Sequence, residues 1–209
     1  FGQAIDCLRQ AHVLHTEGIA DAREEGKGPD VVDEALEMER YGLFSTAFLH
    51  QSEYDKALLV TRHLATLTAG AYPGNYSALL AYAAPAEAYL TLWEAHETGQ
   101  DLDRLARKAC KSLRSYARVF PIGEPRSLLW QGLCDWLDSK PAKAQRAWQE
   151  SLRVAEQLQM PFDQGLAHYE MGRHLDAEDP ARRQHLDRAR DLFARLGASY
   201  HMALVEERS

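Results

Sequence analysis

Seven consecutive residues, HYEMGRH at positions 168–174, bring side chains with useful chemistry close together. Two histidines, a glutamate and an arginine could ligate a metal ion or exchange protons as an acid–base pair. On a helix, however, His168 and His174 stand about 240° apart around the axis, whereas imidazoles that chelate one ion are spaced four residues apart. We therefore interpret the stretch as part of a packing helix, with His168 as an interhelical histidine that His185 could approach from the next helix.

The other candidate sites in the sequence are weaker. His12 and His15 lie three residues apart on a predicted helix, but no carboxylate stands at chelating spacing from them. No nucleophile elbow of the form G-x-S-x-G occurs, and the YPGNY stretch at 72–76 is typical of a turn rather than a phosphate-binding loop. We expect neither a metal ion, nor a cofactor, nor an enzymatic activity.

The composition is typical of a globular protein, with 209 residues of which 45% are hydrophobic and 26% are charged. A formal net charge of -7 argues against nucleic acid as the main partner. Charge is unevenly distributed, with an acidic run over residues 17–40 and a basic run over residues 104–118. We interpret these runs as solvated helix faces, or alternatively as a docking patch for an acidic partner.

The three cysteines are widely spaced and lack a CxxC pair, so the sequence predicts no disulfide framework and favours the reducing cytoplasm. No apolar run reaches the roughly 18 residues that a membrane span needs. The chain shows no signal peptide and does not begin with methionine. We expect one helical-repeat domain, residues 1–209, that is a fragment of a longer protein.

Helical periodicity covers nearly the whole chain, because apolar residues recur at spacings of three and four and β-branched alternation is almost absent. Gly and Pro at the segment ends predict short connections, which force consecutive helices to lie antiparallel. The pattern therefore predicts an all-α fold of about ten helices. They are expected at residues 2–24, 31–50, 53–69, 77–98, 101–119, 125–138, 141–159, 162–176, 180–196 and 198–207.

The predicted helices repeat in pairs. The second helix of each pair carries a small residue, a larger residue four positions later and another buried residue three positions after that, all on one face. First helices carry a small residue, Gly132 or Gly172, that lets the partner helix approach closely. The second-helix triads are Ala4, Leu8 and Ala11; Ala57, Thr61 and Leu64; either Ala106, Cys110 and Leu113 or Ala109, Leu113 and Tyr116; Ala144, Trp148 and Ser151; and Ala189, Phe193 and Leu196.

These features resemble the tetratricopeptide repeat, whose pattern is W-x2-L-G-x2-Y followed by A-x3-F. The resemblance is carried by LWQGLCDW at 129–136, HYEMGRHL at 168–175, ERYGLFSTAFLH at 39–50 and the SEYDKA turn at 52–57. Units here are longer than the family's 34 residues. The resemblance implies an α-solenoid, a right-handed superhelix whose concave wall is built by the first helices.

A second resemblance covers roughly residues 100–200. PIGEPRSLLWQGL, KAQRAWQESLRVAEQLQMP, GLAHYEMGRHL and LFARLGA look like the repeat region of bacterial multidomain signalling ATPases of AAA or STAND type, some fused to a protein kinase or nucleotide cyclase. This resemblance implies that the chain is the C-terminal sensor or scaffold part of such a protein. No G-x-x-x-x-G-K-[ST] phosphate loop occurs in the chain, so no ATP chemistry is carried over.

We expect a cytoplasmic protein-interaction module for signal transduction, which binds a peptide, a helix or another domain of the same polypeptide on its concave face, and neither nucleic acid nor a membrane. The alternative is a sensor that encloses a small molecule in a pocket. Positions predicted to face the concave wall are mostly large and apolar, which marks an interaction groove unless an adjoining helix buries them. They are Tyr89, Trp93, His96, Leu129, Leu133, Trp136, Tyr169 and Arg173.

Overall fold

The computed structural model describes residues 34–69, 72–95 and 101–208, and within these ranges every regular element is helical. Single 3₁₀ turns at Tyr76–Ala78 and Pro121–Gly123 lead into the third and fifth of the α-helices described. The all-α prediction is thereby confirmed for this part of the chain. The α-helices are α1 Glu34–His50, α2 Tyr54–Thr68, α3 Leu79–Glu94, α4 Leu102–Val119, α5 Glu124–Leu137, α6 Pro141–Gln157, α7 Pro161–Arg173, α8 Pro180–Leu196 and α9 Ser199–Glu206.

The observed helix boundaries lie within four residues of those predicted for these nine segments. The helix predicted at residues 2–24, with its Ala4 triad and its His12–His15 pair, lies outside the described residues. Helix α7 ends at Arg173, three residues before its predicted end, so His174 and Leu175 lie beyond it.

Local signals explain why the boundaries are predictable. Three helices begin at a proline, Pro141, Pro161 or Pro180, whose fixed φ suits the first helical turn and whose missing N–H is not needed there. The Asp179 side chain accepts a hydrogen bond from the backbone N–H of Ala181 and so caps α8. The same helix ends at Gly197, which takes the left-handed conformation at φ 66°.

Four of the helices form a continuous row. Helices α1, α3, α5 and α7 contact one another in that order, and each also contacts the helix that follows it in the chain. Helix α3 is the most enclosed element, because it is buried on nearly every face and its small residues Ala81, Ala83 and Ala86 allow close approach on different sides. The short α9 packs on α8, and the Tyr200 ring of α9 stacks on the His50 ring of α1 with 3.8 Å between centroids.

Glycines on the first helices meet large side chains of the second helices, as the sequence pattern predicts. A Cβ atom built on Gly132 would lie 2.5 Å from Trp148 Cδ1, and one on Gly172 would lie 2.9 Å from Leu186 Cδ2. Trp148 is fully buried, and its Nε1–H donates to the Leu129 carbonyl at 3.2 Å. Close helix approach at these two glycines therefore sets the α5–α6 and α7–α8 pairs.

The second-helix triads within the described residues are buried, with one exception. Both registers considered for α4 are buried together, because that helix has a broad apolar face. Leu196, the last member of the α8 triad and the last residue of that helix, is 45% exposed. Cys110 and Cys134 are buried and form no disulfide. None of the helices within the described ranges is both long enough and apolar enough to cross a bilayer.

Candidate functional site

The structure separates the predicted concave-face residues into distinct environments. Tyr89, Leu129 and Leu133 are 1% exposed and belong to the core. They do not form the exposed concave wall that the sequence predicts, because neighbouring helices cover them, although Tyr89 and Leu133 contribute to the edges of two clefts described below. The sequence allowed for such burial as the alternative to an exposed groove, with an adjoining helix covering the apolar residues. Large apolar side chains are expected in a core, so no binding partner is needed to explain them.

Two other predicted residues, Trp93 and Trp136, lie nearer the surface. Trp93 is half-buried, and the Arg107 guanidinium lies over its ring, 5.2 Å from the centroid. Trp136 is half-buried against the His174 ring, with 4.4 Å between centroids. His96 lies outside the described residues. Trp93 and Trp136 are each covered on one side by another side chain, so neither offers a whole ring to a partner.

Tyr169 and Arg173 are largely buried residues that line a cleft between five helices, which we call the inner cleft. Its volume is about 170 Å³, smaller than the roughly 300–1,000 Å³ of pockets that enclose drug-sized ligands. An ion or a small polar molecule fits such a space, whereas a helix does not. Its walls come from α1, α3, α5, α7 and α9 and include Leu49, Glu87, Glu94, Trp130, Leu133, Tyr169, Glu170, Arg173, Tyr200 and His201.

The HYEMGRH stretch supplies the charge network on one side of the inner cleft. Arg173 donates two parallel hydrogen bonds to the Glu94 carboxylate, at 2.7 and 2.9 Å, and so links α7 to α3. It also lies 3.0 Å from Glu170 Oε2 as an ion pair, without hydrogen-bond alignment at that oxygen. Burial raises the pKa of Glu94, but hydrogen bonds from His174 and Arg173 outweigh it and bring the pKa to about 2. These residues form a structural network rather than an acid–base pair.

His168 lies away from the inner cleft and faces α8. Its Nδ1 is 2.8 Å from Nδ1 of His185, so one ring donates and the other accepts. Burial, followed by the proximity of His185, lowers the pKa of His168 to about 4. The sequence indicated only that His185 could approach His168 from the next helix, and in the structure the two rings are in contact. Among the described residues, no third ligating side chain joins this pair.

A second cluster, which the sequence did not indicate, lies where α1, α3 and α9 meet. His50 Nε2 is 3.4 Å from Glu87 Oε1, and His50, Glu87 and His201 each offer a ligating atom within 4.8 Å of the others. The only sequence signal is Glu87 itself, a single carboxylate in the otherwise uncharged stretch of residues 79–93. No spacing rule connects it with His50 and His201, because they come from distant parts of the chain.

The outer side of α3 carries a different kind of surface, which we call the α2–α4 groove. Two adjoining clefts of about 230 and 400 Å³ share Thr68, Tyr82 and Ser112 and run between α2 and α4. Their floor is mostly apolar. The walls include Arg62, Ala65, Thr68, Tyr72, Tyr82, Pro85, Tyr89, Leu105, Lys108, Ala109, Ser112, Arg118 and Val119.

The α2–α4 groove contains both apolar and polar features that suit a partner. Tyr82 is 2% exposed, and its hydroxyl has no hydrogen-bond partner among the described residues. Tyr72, at one end of the groove, is 82% exposed, and Val119 beside it is 37% exposed. Lys108 and Arg118 at the rim form no ion pair within the described part of the chain, although other basic residues of α4 do.

Comparison with known proteins gives no assignment: a scan against protein-family models finds no match, and neither do searches of curated proteins and of solved structures.

Proposed function

We propose that this chain is a protein-binding helical-repeat module, a tetratricopeptide-like solenoid within a larger bacterial signalling protein, and that its α2–α4 groove binds an acidic peptide segment with apolar anchors. The repeat architecture is supported by the ordered contacts among α1, α3, α5 and α7 and by the glycine–large-residue contacts between paired helices. The observation that carries the binding role is the groove itself, where an apolar floor, the buried Tyr82 hydroxyl and the cations Lys108 and Arg118 occur together, these three side chains having no polar partner among the described residues.

The chemistry of the groove specifies its occupant. Exposed aromatic and aliphatic side chains at one end, Tyr72 and Val119, favour an apolar anchor, since contiguous apolar surface usually marks an interaction site. Lys108 and Arg118 at the rim favour carboxylates over ammonium groups. The Tyr82 hydroxyl can donate to a carbonyl or carboxylate that reaches the floor, which removes the cost of an unpaired buried donor. An acidic segment with leucine or phenylalanine at helical spacing meets all three requirements.

The test is fluorescence anisotropy with a labelled synthetic peptide of about 15 residues that carries Glu, Asp, Leu and Phe with helical spacing. We expect binding in the micromolar range that weakens as salt is raised. A peptide of the same pattern with Lys in place of the acids should not bind. Equal binding of the basic peptide would contradict the proposed charge preference.

Matched variants locate the binding surface. The double substitution Lys108→Glu and Arg118→Glu should weaken peptide binding by about tenfold or more, because it reverses the rim charge. Lys143→Glu combined with Arg146→Glu, two exposed cations of α6 that do not line the groove, changes the net charge by the same amount and serves as the control. An equal loss in the control variant would show that binding is nonspecific electrostatic attraction.

A second candidate function, capture of a small polar molecule, is favoured by one feature of the inner cleft. Trp130 lines that cleft and is 5% exposed, yet its Nε1–H has no hydrogen-bond partner among the described residues. A bound acceptor there would satisfy it. The two candidates are distinguished by Trp130→Phe, which removes the donor and keeps an aromatic ring: it should abolish small-molecule binding and leave peptide binding in the α2–α4 groove unchanged.

A further inference from the structure

Three side chains that commonly ligate metals come together at one side of the inner cleft, at the junction of α1, α3 and α9. The 3.4 Å between His50 Nε2 and Glu87 Oε1 is long for a hydrogen bond, which would bring nitrogen and oxygen to about 2.9 Å. Two ligands bound to one Zn²⁺ at 2.0–2.1 Å with a tetrahedral angle stand about 3.4 Å apart. With His201 in the same group, the spacing matches a coordination shell.

The cluster is enclosed by protein. The side chains of His50 and Glu87 are 6% and 13% exposed, and His201 is 9% exposed. Enclosing a carboxylate has an electrostatic cost that a bound dication would offset. The positive charge of Arg126 on α5 also attracts the Glu87 carboxylate. That charge is already offset by Asp163, which accepts a hydrogen bond from Arg126 Nε at 2.8 Å. The negative charge of Glu87 therefore favours a bound cation.

Neighbouring rings hold the two imidazoles in place. The Tyr200 ring stacks on His50, with an interplanar angle of 12°. Phe162 meets His201 edge to face, with 5.0 Å between centroids. Fixed ligand rings reduce the conformational entropy that metal binding would otherwise cost, and such outer contacts are a regular part of metal sites.

We propose that His50, Glu87 and His201 bind one divalent transition-metal ion, for which Zn²⁺ is the best fit. Two imidazoles and one carboxylate form a ligand set found in zinc sites that keep a fourth position open and in non-haem iron sites. Glu87 and His201 both line the inner cleft, so water or a small ligand can reach that fourth position. The ion would join α1 to α9 and thereby connect the first and last described helices. This site is independent of the α2–α4 groove.

The test is isothermal titration of Zn²⁺ into the tag-free protein after removal of metals with a chelator. We expect one ion per chain with a Kd of about 1 μM or lower and a rise in Tm that EDTA reverses. Mg²⁺, which prefers oxygen ligands, should give neither effect. Absence of Zn²⁺ binding at concentrations up to about 100 μM would overturn the proposal.

Variants and spectroscopy identify the ligands. Glu87→Gln and His201→Gln should each weaken Zn²⁺ binding at least about 30-fold, because loss of an outer contact to a ligand alone commonly costs about 10–100-fold in affinity. His185→Gln, which removes one ring of the other histidine pair, should leave Zn²⁺ binding unchanged. If the His185 variant loses Zn²⁺ binding and the other two variants retain it, the ion binds at the His168–His185 pair and the proposal is wrong. Circular dichroism without metal establishes that each variant is folded.

Co²⁺ bound to the unmodified protein gives an assignment that needs no variant. Paramagnetic shifts should affect the ring protons of His50 and His201, and the optical spectrum should lack the thiolate-to-cobalt band that a cysteine ligand would produce. Shifts confined to other histidines, or a thiolate band, would contradict the assignment.

Discussion

Because Gly132 has no side chain, α5 and α6 can pack closely at this position. Gly132→Ala would place a methyl group 2.5 Å from Trp148 Cδ1 and displace a fully buried indole whose Nε1–H is bonded to Leu129. We expect the free energy of unfolding to fall by about 2–3 kcal/mol, because overpacking and the disturbed hydrogen bond outweigh the better helix propensity of alanine. Urea denaturation measures this change.

The matched control at the residue scale is Gly74→Ala. A Cβ atom there meets nothing within 4 Å, and Gly74 has an ordinary negative φ. The change in unfolding free energy should be within about 0.5 kcal/mol and is expected to be slightly favourable, since alanine restricts the unfolded chain. If both substitutions cost the same, the contact between Gly132 and Trp148 does not determine the helix spacing.

At the scale of elements, the His168–His185 contact makes the α7–α8 pair sensitive to acid. Because the pKa of His168 falls from 6.5 to about 4 on folding, the unfolded chain binds more protons between these pH values. The stability that His168 contributes is therefore complete above pH 6.5 and is lost as the pH falls toward 4. Its partly exposed ring limits the effect to about 1–2 kcal/mol.

The measurement is chemical denaturation at pH 7 and pH 4.5 in the presence of EDTA, for the wild-type chain and for His168→Gln. The wild type should lose about 1–2 kcal/mol more than the variant over this interval, since glutamine does not titrate. His63→Gln, which replaces an exposed histidine, should behave as the wild type does. Parallel pH profiles for the wild type and His168→Gln would show that His168 does not contribute to acid sensitivity.

At the scale of the whole molecule, Arg173 joins helices that are far apart in the chain. It bonds Glu94 on α3 and pairs with buried Glu170 on α7. Arg173→Met would leave Glu170 without its cation and should cost about 3–5 kcal/mol. Arg173→Lys retains the charge but not the paired geometry, so it should cost about 1–2 kcal/mol.

Arg153→Lys is the control for this prediction, because Arg153 pairs with Glu150 on the exposed surface of α6. Exposed pairs contribute little, so this substitution should leave the free energy of unfolding unchanged within experimental error. All three variants are compared by the midpoint and slope of urea unfolding. A loss for Arg173→Met no greater than that for Arg153→Lys would mean that the α3–α7 link does not stabilise the fold.

Helix positions and helix pairing were accessible from the sequence. Periodicity, the prolines at 141, 161 and 180 and the glycine at 197 act within a few residues, so a linear pattern records them. The small–large pattern that joins Gly132 to Trp148 also survives in the sequence, because paired helices are adjacent in the chain. For these features, local chemistry is sufficient to determine structure.

Exposure and the composition of the candidate sites were decided by tertiary structure. Tyr89, Leu129 and Leu133 were predicted to be exposed, but they are core residues. Leu133 of α5, for example, lies beside residues of α3, α7 and α9, which are not its sequence neighbours. His50, Glu87 and His201 likewise come together only when α1, α3 and α9 pack, and no short-range spacing can encode that meeting. Helix periodicity determines which residues share a face, whereas the packing of distant helices determines what that face contacts.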